Sequence, residues 1–302
     1  MCDLAYAASA MQGLRKSMED AHVITELAGV EHHSLIGVFD GHGGDFTAHF
    51  TKDHLVELLL QQPSWIRYVS GLKVNMALPA LIGNALCEAF VAVDELLCKR
   101  TLGNTTPTSE FVRVKRLTTD TSRGEVGSGC TAVVTVVTPT YVVCANAGDS
   151  RSIVCSDVGS SFALSTDHKP TCADEKARII AAGGFVCEGG RIDGMLAVSR
   201  AIGDFEFKTN NQISQLEQKV SCLPEIVIRE RQPNDSLLVL ACDGVWDVMD
   251  NGQCAEALFH FANKSDNALV TACEELLDKC LALGSRDNMS IVVANLQSNE
   301  SR

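Results

Sequence analysis

The run TAVVTVVTPTYVVCANAGDS, residues 131–150, decides how this chain folds. Two β-rich segments, TAVVTVV and YVVCANA, flank Thr138-Pro139-Thr140, which reads as the turn of a β-hairpin. The second segment leads directly into Gly148-Asp149-Ser150, so a carboxylate sits just past the end of an apolar strand. Two other apolar runs end the same way, LIGVF before Asp40-Gly41 and SLLVLAC before Asp243-Gly244. A carboxylate at the end of a buried strand is rigidly placed, and a following glycine allows close backbone approach. Asp287 precedes the apolar run MSIVVAN, and if that strand is antiparallel to the one ending at Asp243, both acids reach one edge. Glu19 and Asp20 precede the run beginning at His22 and reach the same edge if it pairs in the same sense.

A single Asp-Gly usually marks a turn. Several acids at one edge repel and raise each other's pKa, and a divalent cation relieves that repulsion. All-oxygen ligation suits Mg²⁺ or Mn²⁺ better than zinc or copper. On the residues alone, a cation site and a set of ordinary turns stand on equal footing.

Further β-rich runs occur at 22–27, 34–39, 151–155, 224–230, 236–242 and 289–296. Helical periodicity marks 45–60, 77–99, 173–182, 252–262 and 267–283. Strands and helices come in groups, which favours an α+β fold over regular βαβ alternation. No internal repeat or linker interrupts the 302 residues, so residues 1–302 are expected to form a single domain. The polar stretch 101–127 is expected to be a solvated loop or hairpin, with a docking surface for acidic substrate segments as the alternative. Around Pro63 and Trp65 the expectation is local packing, with a partner site as the alternative, and His32-His33 reads as a surface turn.

A net charge of −13 opposes nucleic acid and anionic membrane as partners. No C-x-x-C occurs among the 13 cysteines, which argues against a zinc knuckle or dithiol site. Their odd number and the lack of a signal peptide favour a reducing interior, and no apolar run reaches membrane length. The chain is expected to be a soluble monomer in the cytoplasm or nucleus.

The acids also fall within a recognisable series. Gln12-Gly13-Leu14-Arg15 with Met18-Glu19-Asp20-Ala21-His22 is followed by Val38-Phe39-Asp40-Gly41-His42-Gly43-Gly44 and Gly129-Cys130-Thr131-Ala132. Next come Asn146-Ala147-Gly148-Asp149-Ser150-Arg151, Asp167-His168-Lys169-Pro170 and 196–204, LAVSRAIGD. The last two are 241–247, ACDGVWD, and 285–290, SRDNMS. In this order the series resembles the type-2C metal-dependent protein phosphatases over residues 8–296. That resemblance implies a four-layer α-β-β-α sandwich with the metal cleft at one end of the central β-sandwich. It implies a Mg²⁺- or Mn²⁺-dependent hydrolase of phosphoserine and phosphothreonine proteins, attacking phosphorus with activated water and forming no phosphoenzyme.

Carried over by position, the resemblance makes Asp40 the bridge between two cations. Asp243 and Asp287 complete one, Glu19 and the Gly41 carbonyl help hold the other, and Asp20 acts through a water. Asp149, with Asp243, matches a weaker third site. Arg15 stands where the family binds the substrate phosphate, and a guanidinium fork suits phosphate oxygens. His42 stands where a general acid would protonate the leaving alkoxide. Asn288 is expected to support the site by hydrogen bonding and Thr131 to stand behind it, with strand-end packing as the alternative for both; Arg191, in the flap 185–195, is expected to touch substrate, with an ordinary loop as an equal alternative. No long extension follows residue 296, so an added regulatory domain is not expected.

Cys172 to Arg178 and Cys280 to Arg286 have the Cys-x5-Arg spacing of thiol phosphatases. Two acids fill the first spacing and the second begins near a helix end, both wrong for an electropositive thiolate loop. A catalytically weak homologue serving as a phosphoprotein-binding module is the alternative from a different class, and it would be favoured by a missing ligand.

Overall fold

The valine-rich segments become strands covered on both faces. In chain order the strands are β1 Ala5–Met11, β2 Ala21–Glu26, β3 Ser34–Phe39, β4 Gly41–His42, β5 Gly129–Cys130, β6 Ala132–Val137 and β7 Tyr141–Ala147, then β8 Arg151–Ser156, β9 Ser161–Ala163, β10 Ile202–Gly203, β11 Glu225–Glu230, β12 Asp235–Ala241 and β13 Met289–Asn295. The helices are α1 Phe46–Gln61, α2 Pro63–Leu72, α3 Pro79–Leu102, α4 Ala173–Ala181, the single turn α5 Asp243–Trp246, α6 Asn251–Ala262 and α7 Ala268–Ala282. This computed structural model describes residues 4–73, 76, 78–103, 125–156, 160–262 and 268–297. Most of the polar stretch expected to be a loop, 104–124, lies outside the described residues.

Two five-stranded sheets form the centre, ordered β1-β13-β12-β8-β9 and β11-β7-β6-β3-β2, with every pair antiparallel. Successive side chains on a strand point to opposite faces, which assigns each apolar residue to one of two layers. Val133, Val142 and Cys144 from one sheet meet Leu238, Leu240, Val292 and Ala294 from the other between the sheets. The alternate residues Ala132, Val134, Val136 and Val143 face outward and pack on α1 and α3. On the far side Leu237, Val239, Ile291 and Val293 pack on α6 and α7. The result is the four-layer α-β-β-α sandwich. Each buried Val, Leu or Ile contributes roughly 1.5–3 kcal/mol, and both faces of these strands contribute.

Strand β1 was not apparent in the sequence, because AYAASAM is alanine-rich and lacks β-branched residues. It forms because β13 presents a strand edge, and pairing from Ala5↔Asn295 to Met11↔Met289 covers it. Pro63 accounts for the break between α1 and α2, since it holds Gln62 extended at ψ 141° and starts the next helix at its first position. Trp65 and Tyr68 of α2 are buried, so this stretch serves local packing. His33 corrects the surface-turn expectation: it is buried, with Nε2 2.7 Å from Tyr68 Oη. Among the described residues no helix is long and apolar enough to cross a membrane.

Helix α3 also holds the backbone next to the small third sheet, β10-β5-β4. Lys208 is 0% exposed, and its Nζ donates to Asp94 Oδ1 at 2.7 Å and to the Ala201 carbonyl at 3.0 Å. The Gly203 amide donates to the same Asp94 oxygen at 2.8 Å. Removing one partner of such a pair strands a buried charge at a cost of about 3–5 kcal/mol. Asp94→Ala is therefore expected to lower the urea midpoint by that equivalent, and Asp94→Ala with Lys208→Met to recover much of it. A single variant with the wild-type midpoint would contradict the buried pairing.

Candidate active site

The antiparallel pairing of β12 with β13 brings Asp243, just past one strand, and Asp287, just before the other, to one edge. The pairing of β2 with β3 does the same for Glu19 and Asp20 on one side and Asp40 on the other, since Ala21 lies opposite Phe39. Asp149 follows β7 two residues on. Glu19, Asp40, Asp149, Asp243 and Asp287 line one cleft of about 750 Å³ together with Arg15, His42, Thr131, Arg191 and Asn288. Asp20 lies beneath, with carboxylate oxygens of Asp20 and Asp40 and the Cys242 sulfur within 4.8 Å of one another. Gly41 permits this approach: a Cβ there would fall 2.2 Å from the Glu19 carbonyl oxygen.

Crowding raises the carboxyl pKa values. Burial, then the charges of Asp243, Asp20 and Asp149, push Asp40 well above the usual carboxylate range. Burial, then Asp149, Asp247 and Asp287, take Asp243 to about 7. Burial takes Asp20 to about 6 against hydrogen bonds from Ser290 and Cys242. Burial also raises Asp149, against the charge of Lys169. Among the described residues, Asp20 Oδ1 and Asp149 Oδ1 are buried and lack any hydrogen-bond partner. Unpartnered carboxylate oxygens within a repelling all-oxygen set are what a hard divalent cation satisfies, so these residues fit Mg²⁺ or Mn²⁺. Burial, then the charges of Asp20 and Asp40, push the Cys242 thiol well up, and its sulfur lies 3.4 Å from the Asn288 carbonyl oxygen and accepts from the Ser290 amide at 3.1 Å.

Asn288 ties the site together. Its Oδ1 accepts from the Glu19 amide at 2.8 Å, and its Nδ2 donates to the carbonyls of Gln12 and Ser17 at 2.8 and 2.9 Å. The loop carrying Arg15 and Glu19 is thereby fixed to the start of β13. Ser17 Oγ and the Gly44 amide hold the two oxygens of Glu19 at 2.8 and 3.1 Å. Thr131 donates its amide to the Asp40 carbonyl at 2.9 Å, and its hydroxyl lies 2.8 Å from Ser150 Oγ. Arg15 donates to Asp287 Oδ2 at 2.5 Å and is otherwise exposed. Arg191 Nη1 donates to the Met195 carbonyl at 2.7 Å, closing the flap turn at the cleft wall.

This placement of acids, arginine and histidine at one end of a two-sheet sandwich agrees with comparison to known proteins, where the family model described as protein phosphatase 2C matches residues 4–289. The chain belongs to the protein phosphatase 2C family. It is 36% identical over 305 residues to protein phosphatase 2C homolog 2 of Saccharomyces cerevisiae, covering 97% of this chain and 58% of that relative. The namesake of Schizosaccharomyces pombe is 37% identical, with 96% of this chain and 72% of that relative covered. Protein phosphatase 2C 1 of Paramecium tetraurelia is 35% identical, covering 97% and 92%. The chain thus spans little over half the length of the S. cerevisiae relative. Among solved structures, serine-threonine phosphatase 2C from Toxoplasma gondii superposes with a TM-score of 0.78 at 23% identity, covering 97% of this chain and 95% of that one. A C. elegans sex-determining protein gives 0.76 at 24%, covering 98% and 65%. At that identity the two structures speak for the shared protein phosphatase 2C fold.

Three residues of this 2C-type site went unassigned by sequence reasoning. Asp204 is 2% exposed and accepts from His42 Nε2 at 2.7 Å. The small third sheet builds this pair, with Gly129 opposite both His42 and Gly203. A Cβ on Gly129 would lie 2.2 Å from Asp204 Oδ2 and 2.5 Å from His42 Nε2, so only glycine fits between them. Burial lowers the imidazole pKa, but the charge and hydrogen bond of Asp204 outweigh it and the net shift is upward. Lys169 Nζ donates to Asp149 Oδ2, occupying one oxygen of the acid that resembles a third-cation ligand. Asp247, one helical turn past Asp243, also lines the cleft. All three lay within the quoted motifs, but only tertiary proximity gave them a partner.

The thiol alternative finds no support in the geometry. Cys280 is buried in α7 with its thiol pushed by burial to about 11. Cys172, at the start of α4, is exposed and neither it nor Cys280 lines the cleft.

The raised carboxyls have a sign that can be measured. Between an unfolded value near 4 and folded values of about 6 and 7, the native state binds more protons than the unfolded one. Stability of the chelated protein therefore falls as pH rises through that window. In EDTA, Tm is expected to climb on going from about pH 8 to about pH 5.5, and excess Mg²⁺ to raise Tm most at the alkaline end and flatten the slope. A Tm in EDTA that falls steadily over the same interval would contradict a repelling carboxylate cluster.

Proposed function

We propose that this chain is a divalent-cation-dependent protein phosphatase that hydrolyses phosphoserine and phosphothreonine by direct attack of water. The observation that carries the reading is the convergence of seven acids, Asp247 among them, with Arg15 and the His42–Asp204 pair, at one cleft. Asp40 would be shared between two cations, with Asp243 and Asp287 on one side and Glu19 with the Gly41 carbonyl on the other. Asp20 would reach them through water. Bound there, Mg²⁺ or Mn²⁺ supplies positive charge to the phosphoryl oxygens and lowers the pKa of water from about 15.7 toward neutrality.

The chain's own groups handle the substrate's ends. Arg15, exposed beside Asp287, presents a guanidinium to phosphate oxygens at the mouth of the cleft. His42 holds a proton because Asp204 stabilises the imidazolium, and with Nε2 bonded to Asp204, Nδ1 is the nitrogen left to deliver a proton to the leaving Ser or Thr oxygen. Asp204 is buried and fixed, so the ring keeps one orientation.

The direct test is turnover of a phosphothreonine peptide in EDTA and after Mn²⁺ or Mg²⁺ is restored. Activity is expected only with metal, and Asp243→Asn is expected to lose more than the roughly 10–100-fold that follows disturbance of a ligand's outer-shell partner. Cys172→Ser and Cys280→Ser are expected to retain activity. Turnover that persists in chelator would defeat the proposal, and peptide binding without turnover under every metal would make the chain a binding module.

His42→Ala is expected to cost roughly 10²–10⁴-fold with a phosphopeptide and far less with p-nitrophenyl phosphate, whose leaving group needs no proton. Asp204→Asn should show the same asymmetry at about tenfold, since it keeps the shape and removes the charge. Equal losses on both substrates would remove the general-acid role.

A further inference from the structure

We propose that Leu14 and the segment Leu196-Ala197-Val198 form an apolar lip that selects phosphoproteins with a large apolar residue beside the phosphorylated one; this rests on the phosphatase reading above. All four residues line the same cleft as the acids and Arg15, so the apolar surface is continuous with the place where phosphate would be handled. Leu14 is 69% exposed, directly beside Arg15 in sequence. A lone exposed leucine on a protein surface is ordinary. An exposed leucine on a hydrogen-bonded loop that lines the same cleft as a second apolar segment has a specific occupant available in the substrate chain.

Both sides of the lip are fixed in advance. Gln12 Nε2 donates to the Arg15 carbonyl at 2.9 Å, and Asn288 Nδ2 holds the carbonyls of Gln12 and Ser17, so the loop is pinned on both sides of Leu14. Gly13, at φ +61°, packs so tightly on the Asp287 carbonyl that a Cβ would fall 2.1 Å from its oxygen. In the second segment Val198, only 7% exposed, belongs to a small core with Ile192 and Phe207, and partly buried Leu196 packs against it, so Leu196 and Ala197 are the segment's more open side chains. Buried Glu175 anchors that segment: its Oε1 accepts from Arg200 Nη2 at 2.8 Å and its Oε2 lies 2.6 Å from Ser199 Oγ. Met195, next to Leu196, is 56% exposed and extends the apolar character outward. A preorganised apolar slot loses little entropy on binding, so covering Leu14 with a substrate side chain registers as affinity.

The chemistry of the lip says what it accepts. These four side chains offer no hydrogen bond, and polar recognition in the same cleft falls to Arg15, Lys16, Ser17 and Arg191. A Leu, Met or Phe next to the phosphoresidue removes apolar area from water on both partners, and a Ser or Gly does not.

The test uses the metal-loaded enzyme and two phosphothreonine peptides of equal length and charge, one with Leu on both sides of the phosphothreonine and one with Ser. Wild type is expected to favour the Leu-flanked peptide by about tenfold in kcat/KM, expressed mainly in KM because the contact is the same in ground and transition states. Leu14→Ser is expected to cut that preference to about twofold or less, and Leu283→Ser, an exposed leucine outside the cleft, to leave the preference intact. Equal kcat/KM for the two peptides, or a preference that survives both Leu14→Ser and Leu196→Ser, overturns the lip. Should neither peptide turn over, the phosphatase reading fails, and the anisotropy-measured affinities of the same two peptides still decide: a tighter Leu-flanked peptide upholds the lip and equal Kd values end it.

Discussion

Carboxylates forced together in a partly buried cleft repel one another, and this chain brings Glu19, Asp20, Asp40, Asp149, Asp243 and Asp287, joined by Asp247, to one end of its sandwich, the first six of them by strand ends. Left to flexible loops, such groups would splay apart. Here each of the first six is anchored where a strand begins or ends, and both neighbouring strands belong to a sheet buried on both faces. The stability of the two-sheet core therefore works against the repulsion, and the cation-ready geometry is the result. Asn288 adds the cross-brace, spanning from the start of the last strand to the loop that carries Arg15 and Glu19. The raised pKa values of Asp20, Asp40 and Asp243 express the same tension in protonation.

The His42–Asp204 pair rests on a different device. Three two-residue strands, too short to be stable alone, pack on α1 and α3, and they bring residues 42 and 204 within hydrogen-bond reach across Gly129. The Asp94–Lys208 pair lies directly behind this sheet, with Asp94 also accepting from Gly203. Glu175 plays the equivalent part for the cleft wall. Burial disfavours its charge, but hydrogen bonds from Arg200 and Ser199 and the charge of Arg178 prevail and take it down to about 2, so it stays ionised to low pH. The His42–Asp204 pair and the segment Leu196-Ala197-Val198 are thus held by two separate buried ionic centres.

Much of this was legible in the residues. The Asp-Gly endings located Asp40 and Asp243, and the antiparallel condition placed on Asp287 is met by the β12–β13 pairing. The α+β layering followed from grouped strands and helices. What escaped has physical causes. Strand β1 is specified by the edge it covers, since its own alanines carry little strand preference. The third sheet is made of two-residue pieces with no periodicity to read. Asp204 sits in a quoted motif, yet nothing within 196–204 says that a histidine 162 residues earlier is its partner. His33 looked like a turn residue because burial of a histidine depends on finding a distant hydroxyl, here that of Tyr68.

The pairing of the first strand with the last has a consequence for biosynthesis. Within its sheet β1 neighbours β13 alone, and β13 also brings Asp287 and Asn288 to the cleft. A ribosome makes β1 long before β13. Until β13 emerges, β1 has no neighbour in its sheet and the cleft lacks Asp287 and Asn288. The nascent chain therefore cannot complete this cleft early, and the set of acids closes only when two strands far apart in sequence pair.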